Sequence, residues 1–384
     1  MTAEIIFWTS VFFILYAYAG YPFLITLLSL FAKNASTIRE SKPFVTLLIT
    51  AYNEEKDIRA KIENSLALEY PRQRLEIIVA SDGSTDGTDA IVREYASPAR
   101  GIPVILHRVE GRLGKTAAQN SAVKIAHGEI IVFSDAASLY EPCAIRWLVR
   151  HYADPTVGAV SGRYQYVNKT RASVGFGTIL FWNIENFIKS RQARLRTMTG
   201  CSGCIYSVRK DLYTDLPPHI ISDLVEPLAI LKKGYRIAFE PRALAFEKTT
   251  EKPADEFMMR VRVIVRGMNG LLYMKSLLNP FRFPFVAFQL FSHKIVRWMV
   301  PIFCVLAFVS SFVLVKKHPF YLAAFLAQCL FYVMAAGGFL FEKKGVRLKL
   351  FYLPLYFILV NAASLVSMVK VLKGEHIVVW QTQR

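Results

Sequence analysis

Charge is missing from four long stretches of this chain, and that absence limits what it can fold into. No Asp, Glu, Lys or Arg occurs in Ile5–Ala32, Met299–Val315, Pro319–Phe341 or Leu350–Val369. Each is near or above the roughly 20 residues a helix needs to cross about 30 Å of hydrocarbon. Between Lys33 and Pro280 charges recur as in a soluble domain. The pattern predicts a transmembrane anchor and basic linker over 1–42 and a cytosolic domain over 43–280. An interfacial helix and C-terminal transmembrane helices are expected over 281–384. Phe281–Trp298 mixes Phe285, Phe288 and Phe291 with Arg282, His293, Lys294 and Arg297, which suits a helix lying on a bilayer surface. Phe176–Phe187 suits a second such helix or buried core.

The first stretch reads as an uncleaved anchor, because Met1–Glu4 has no Lys or Arg and the apolar run outlasts a signal core. Lys33, Arg39 and Lys42 follow it, so the excess of cations on the cytoplasmic side places the domain in the cytosol. A bacterial-type inner or plasma membrane is the expected location. Lys343, Lys344, Arg347 and Lys349 should share that side two crossings later. Lys316 and Lys317 then face outward, against the rule.

With 47 Lys and Arg against 29 Asp and Glu, the formal charge is +18. No zinc finger, basic zipper or aromatic RNA-binding signature accompanies it, so no nucleic-acid partner is expected. Cations beside membrane helices hold headgroups, and those in clefts hold phosphates. A transporter is disfavoured because the four stretches carry no intramembrane charge. Cys201 and Cys204 form a C-x-x-C with no second pair to complete a zinc site, and read as small buried residues in a turn.

Within the domain, Val45–Thr50, Leu75–Ala80, Ile102–Leu106 and Glu129–Phe133 are short apolar runs. They alternate with helical patterns through Ile58, Ile62 and Leu66, through Ala90–Tyr95, and over Thr116–Ala126. Strand, polar turn and helix at this spacing predict a doubly wound α/β sheet. Ligands bind outside the carboxyl ends of such strands, which collects Asn53, Glu54, Asp82 and Asp135 on one rim. There is no G-x-G-x-x-G after the first strand, and Gly111 stands too close to Gly114-Lys115-Thr116 for a Walker loop.

These residues resemble the family 2 glycosyltransferases, the group of the cellulose, chitin and hyaluronan synthases, from Val45 to about Arg266. The resemblance implies a GT-A-like, Rossmann-type nucleotide-sugar domain set between transmembrane α-helices. Tyr52-Asn53-Glu54-Glu55 is similar to the family's nucleotide-binding start. Ser81-Asp82-Gly83-Ser84-Thr85-Asp86-Gly87-Thr88 is similar to its second motif, which implies that Asp82 reads uracil. Gly114-Lys115, with Asn120 following, implies a lysine at the diphosphate. Ser134-Asp135-Ala136-Ala137 stands at the metal motif Asp-x-Asp without its second Asp, so Asp135 is the expected ligand of Mg²⁺ or Mn²⁺. Ser202-Gly203-Cys204, with Arg209, resembles the turn that floors the acceptor site. Ile221-Ser222-Asp223-Leu224 falls at the family's acidic motif and implies Asp223 as general base; a helix cap is the alternative reading of that residue. Arg260 and Arg262 match the arginines of the family's Gln-x-x-Arg-Trp region and imply cations at the leaving diphosphate. Val263 stands where the family's Trp stacks on acceptor sugar, so short additions to a membrane-bound acceptor are expected over processive synthesis. The expected activity is inverting transfer from a UDP-sugar to a lipid-linked or polysaccharide acceptor. A catalytically degenerate relative that regulates a synthase is the alternative, resting on Ala137 and the altered arginine motif.

Overall fold

The computed structural model describes residues 1–32, 37–96, 101–167, 173–249, 252–344, 346 and 348–379. Lys33, Arg347 and the side chain of Lys343, three of the expected flanking cations, lie outside them. Helix α1 (Thr2–Leu15) continues through a π turn at Tyr16–Gly20 into α2 (Tyr21–Leu30). The domain then alternates β1 (Val45–Ala51), α3 (Ile58–Leu66), β2 (Leu75–Ser81), α4 (Thr88–Tyr95), β3 (Val104–Arg108), α5 (Lys115–Ile125) and β4 (Ile130–Asp135). It continues with β5 (Leu139–Tyr140), α6 (Ala144–Val149), β6 (Val157–Val167), α7 (Ser173–Leu195), β7 (Tyr206–Arg209), α8 (Ser222–Lys232), β8 (Arg236–Lys248) and α9 (Pro253–Tyr273). Helices α10 (Pro284–Leu290), α11 (Val296–Leu314), α12 (Pro319–Lys343) and α13 (Tyr352–Leu372) follow.

The eight strands form one sheet in the order β3-β2-β1-β4-β7-β6-β8-β5. β1 is buried at every residue between parallel neighbours β2 and β4, as its unbroken apolar run requires. Leu47 and Ile49 point to the face covered by α3 and α4; Leu48 points to the face covered by α5 and α8. The expected doubly wound sheet is realised over β3-β2-β1-β4. Beyond it the sheet is mixed, because β7 runs antiparallel to both β4 and β6. The third strand begins at Val104, two residues later than its apolar run. Pro103 has no N–H for the ladder and serves only as acceptor, from the Ile77 amide at 2.9 Å.

Four helical runs among the described residues are long and apolar enough to cross a membrane: Thr2–Leu30, Pro284–Leu314, Pro319–Glu342 and Lys349–Leu372. The start of α1 meets the turn between α11 and α12, where Glu4 pairs with Lys317 at 2.7 Å. That pairing places the two segments on one side and supplies the counter-charge that Lys317 lacked in the sequence. The stretch expected as a separate interfacial helix is continuous with α11. Its His293 and Gln289 are buried, and His293, Lys294 and Arg297 converge on the buried Glu185 of α7. An ionised carboxylate in that position needs cations around it, so Lys294 and Arg297 turn inward, with the His293 ring against the same carboxylate.

Inside α8, burial pushes the Glu226 carboxyl up to about 8. One of its oxygens accepts from the Thr214 amide at 3.0 Å, and the other has no partner among the described residues. A carboxyl whose pKa is raised on folding adds most stability below the unfolded value of 4.5, and that contribution drains away as pH rises from there to about 8. Thermal unfolding of wild type should therefore weaken between pH 5 and 8. Glu226→Gln, which cannot ionise, should lose several degrees less over the same interval. Parallel curves for the two proteins would show Glu226 ionised in the folded state.

Candidate active site

The rim of the sheet is built from the loops that leave β1 and β2. Asn53 turns the chain with φ of +51°, a conformation its short polar side chain tolerates. It then ties the two loops together: the Thr85 amide donates to Asn53 Oδ1 at 2.8 Å, and the Asn53 amide donates to Ser84 Oγ at 3.2 Å. The Glu54 amide donates to Thr88 Oγ1 at 2.8 Å. Asn53 and Glu54 thus bond to the second motif through these groups. Tyr52 offers its ring, and the Arg112 guanidinium stands 3.9 Å from the ring centroid, within cation–π range.

Asp82 is fully buried at the end of β2 and faces the loop that leads into α5. Its carboxylate accepts from the amides of Leu113 at 2.8 Å and Gly114 at 2.9 Å. Gly83 has a φ of +69°, and a Cβ there would stand 2.4 Å from the Gly111 carbonyl oxygen; only glycine lets this loop settle so low. Burial pushes the Asp82 carboxyl up, and the two amides pull it back. At the first turn of α5, the Lys115 ammonium pairs with Asp135 at the end of β4. Asp82, Lys115 and Asp135 therefore share one corner of the rim, as the sequence anticipates.

Asp223 enters from the far side of the site on the first turn of α8. Ile221 occupies the cap position without a side-chain bond, so Asp223 is not the helix cap. Its carboxylate lies against the 201–204 turn, where a Cβ on Gly203 would stand 2.6 Å from Asp223 Oδ2. Ser202, Gly203 and Cys204 thus come together with Asp223. The turn is also held through the backbone, by a rule of helix chemistry. Pro227 lies inside α8 and has no N–H to give to the carbonyl four residues earlier. That carbonyl belongs to Asp223, and the Cys201 amide donates to it at 2.8 Å. Burial pushes the Asp223 carboxyl up; Lys115 and Lys189 pull it down, Asp135 pushes it up, and Arg266 pulls it down.

Helix α9 separates the two arginines that the sequence groups together. Arg260 is buried, bonded to Glu256 at 2.8 Å and to the hydroxyl of Tyr356 on α13 at 2.7 Å. It links α9 to α13, and its guanidinium is taken up by these buried partners. Residues two apart on a helix diverge by about 200°, so Arg262 takes the opposite face, half-buried and acting on the charge of Arg266. Arg266, one turn further, is the residue that motif matching missed. It donates to Thr116 Oγ1 at 2.9 Å and to the Ile220 carbonyl at 2.7 Å, joining the start of α5 to the loop that carries Asp223. Its i+4 spacing from Arg262 was the available signal. Asn120 and Arg209 are also structural: Asn120 bonds Leu216 and Tyr213, and Arg209 donates to carbonyls of Tyr152, Asp154 and Val157. The chain beyond α13 returns to the site, with His376 4.4 Å from His219 between ring centroids and the Val378 carbonyl against Gly114.

No three His, Cys, Asp or Glu side chains gather among the described residues. Asp135 offers one accessible carboxylate, and Ala137 adds no ligand atom. That donor set fits a Mg²⁺ or Mn²⁺ that keeps its waters and takes phosphate oxygens from a donor.

Pro227→Ala should restore a helical N–H beneath the Asp223 carbonyl, in competition with Cys201. The expected result is a helix as stable or more stable, judged by thermal unfolding, with sugar transfer reduced by about threefold to tenfold, within the cost expected of a small misplacement of a reacting group. Unchanged turnover would show that the Cys201 bond does not position the Asp223 carboxylate.

The sequence model described as glycosyl transferase family 2 matches residues 46–216. A probable glycosyltransferase of Bacillus subtilis (strain 168) is 28% identical over 234 residues, covering 58% of this chain and 55% of that protein. The poly-beta-1,6-N-acetyl-D-glucosamine synthase of Staphylococcus aureus (strain COL) is 28% identical over 233 residues, covering 59% and 55%. The chain thus spans about half the length of the curated relatives it matches. Among solved structures, a mannosyltransferase of Pyrobaculum calidifontis in complex with GDP-Man and Mn²⁺ superposes with a TM-score of 0.72. It is 22% identical, covers 97% of this chain and 99% of that one, and shares the GT-A-like fold. Residues 46–216 thus match the family 2 glycosyltransferase model, and the similar relatives include a probable glycosyltransferase and a poly-beta-1,6-N-acetyl-D-glucosamine synthase.

Proposed function

We propose that the protein is an inverting transferase that moves a sugar from a UDP-sugar to a membrane-associated acceptor, a glycolipid or a growing polysaccharide. The observation that carries this reading is the Asp223 carboxylate. It is held against the Gly203 turn and lies within the electrostatic reach of Lys115 and Asp135. Asp223 takes the proton of the acceptor hydroxyl as that oxygen attacks the anomeric carbon. The bond from that carbon to the UDP oxygen breaks, and the diphosphate leaves with the electron pair. Lys115 and Arg262 face the growing negative charge, the kind of preorganised stabilisation that contributes most at such sites. A Mg²⁺ or Mn²⁺ at Asp135 supplies further neutralisation of the diphosphate when bound.

Uracil recognition falls to Asp82, with Tyr52 beside it. A carboxylate has about four acceptor positions, so the Leu113 and Gly114 amides leave capacity for a ring N–H once the loop shifts. Glu54 and Asn53 keep the rim in shape for the nucleotide. Ser202, Gly203 and Cys204 floor the acceptor site. Arg260 takes no part in leaving-group chemistry. The four apolar helices support a bilayer partner, and Arg39 and Lys42 beside α2 favour a cytosolic domain. Val263 is 40% exposed on α9 and offers no ring for a sugar to stack on, which favours short additions over a long retained polymer.

Asp223→Asn keeps shape and hydrogen bonding but takes no proton, so turnover should fall by about 10²–10⁴. A panel of UDP-glucose, UDP-N-acetylglucosamine and GDP-mannose, scored by nucleotide release from membranes, identifies the donor, and calorimetry with UDP should give the same affinity in both proteins. Because burial holds the Asp223 carboxyl above 3.8, the acid limb of kcat should fall at a pH above that value. Near-normal turnover in the Asn variant would remove Asp223 as the base.

A further inference from the structure

The transfer scheme leaves one buried cation beside the base without a task. Lys189 of α7 is 4% exposed. Its ammonium donates to the Cys201 carbonyl at 3.1 Å and to Ser202 Oγ at 2.9 Å, and it stands 5.3 Å from the centroid of the Trp182 ring. Glu185, one turn earlier on α7, is taken by His293, Lys294 and Arg297. No carboxylate lies within ion-pair distance of Lys189 among the described residues. A buried ammonium with only neutral partners costs free energy, and a Met or Leu would fill the same volume without that cost.

What the lysine holds is the turn on which the base rests. The Ser202 amide donates to Ser161 Oγ at 3.0 Å, the Cys201 amide donates to the Asp223 carbonyl at 2.8 Å, and Gly203 lies against the Asp223 carboxylate. Lys189 fastens that turn from the side opposite Asp223. The two charges then act on each other across the turn, with Lys189 buried and Asp223 partly exposed. Four charged groups face the Asp223 carboxylate from the elements packed around it: Lys115 of α5, Lys189 of α7, Arg266 of α9 and, opposing them, Asp135 of β4. Lys115 is paired with Asp135, and Arg266 is bonded to Thr116 Oγ1 and to the carbonyls of Pro218 and Ile220. Glu226 lies one turn further along α8. Among these cations and the described residues, Lys189 is the one whose hydrogen bonds go to the turn itself.

We propose that Lys189 is a positioning residue for the transfer reaction, fixing the 201–204 turn beneath Asp223 and keeping the Asp223 carboxylate ionised when an acceptor closes the site. This rests on Asp223 as general base. An opposite charge favours the ionised form of a carboxylate, and burial opposes it. Burial accordingly pushes Asp223 up, against Lys115 and then Lys189, and pushes Lys189 down, against Glu185 first and Asp223 among the rest, with Lys294 opposing.

The test uses full-length protein in nanodiscs, with the donor from the panel that gives the fastest nucleotide release. Lys189→Met removes the charge and keeps the length. It should retain UDP affinity by calorimetry and lower kcat at pH 7 by about tenfold. The acid limb of its kcat profile should move up by about one pH unit, so the deficit narrows at higher pH. Lys189→Arg restores the charge and should return the limb to its wild-type position, even with kcat only partly recovered. A Met variant whose kcat is low at every pH with an unmoved limb would make Lys189 a purely structural prop and overturn the proposal, as would unchanged kcat. If the Met variant does not fold, Lys189→Gln carries the same comparison and the same two outcomes. Near-normal turnover in Asp223→Asn instead sinks the base assignment itself, so the two failures are read apart.

Discussion

Two arginines on different faces of α9 join the apolar C-terminal helices of this protein to its candidate site. Arg260 is buried with Glu256 and reaches the hydroxyl of Tyr356 on α13. Arg266 reaches Thr116 at the start of α5 and Ile220 just ahead of Asp223. Arg260 is balanced within α9 by Glu256 and donates across to Tyr356, while Arg266 donates to a hydroxyl and to backbone carbonyls. Losing either set would leave buried polar groups unpaired, so α9 is tied to its neighbours at both ends of this span. The helices that carry Lys115 and Asp223 are thereby referenced to one another and to a helix apolar enough to lie in a bilayer. For Arg266, burial against carbonyls pushes the guanidinium down to about 10, which leaves it charged at neutral pH as the bonding requires.

Within the site, backbone chemistry does as much as the charged side chains. Asp223 is useful as a base only if its carboxylate is aimed, and its carbonyl is available to the Cys201 amide because Pro227 cannot use it. Gly203 allows the carboxylate to lie flat on the turn, and Gly83 allows the Asp82 corner to close under the Gly111 carbonyl. These residues contribute no functional group. They decide where the functional groups stand.

The half of the fold that was legible in the sequence is the half built from unbroken apolar runs. Val45–Ala51 and Leu75–Ser81 are buried on both sides, and a run with no polar alternation signals that directly. The ends of β2 and β4 gave Asp82 and Asp135 for a like reason, since a carboxylate at a buried strand end needs a purpose. The antiparallel entry of β7 between β4 and β6 was not legible, because strand order beyond the parallel unit is set by packing and leaves no local mark. The arginine region shows how motif matching and geometry diverge. Matching by position selected Arg260 and Arg262 as a pair, whereas a helix advances about 100° per residue and cannot present both to one ligand. Helical spacing alone would have kept Arg262, dropped Arg260 and added Arg266. Lys189 was invisible for a different reason: nothing in its neighbourhood along the chain distinguishes a buried lysine from one on a solvated helix face.

The C-terminal return shows that the corner holding Asp82 and Lys115 is closed by a residue more than 250 positions from Gly114 in sequence. Gly114 carries a φ of +95°, and a Cβ there would stand 2.6 Å from the carbonyl oxygen of Val378. Glycine is therefore required twice at this point, once for its own backbone and once for the approach of the tail. The tail is held independently, by the Asn269 side chain donating to the Glu375 carbonyl at 3.3 Å and by His376 against His219. Asn269 belongs to α9 and His219 to the loop ahead of Asp223, so the tail rests on the helix that carries Arg266 and on one of the two elements that Arg266 joins. A shift of α9 would thus act on the corner that holds Asp82 and Lys115 from two directions, through Thr116 below and through Val378 above. That arrangement makes the end of the last apolar helix part of the site's geometry.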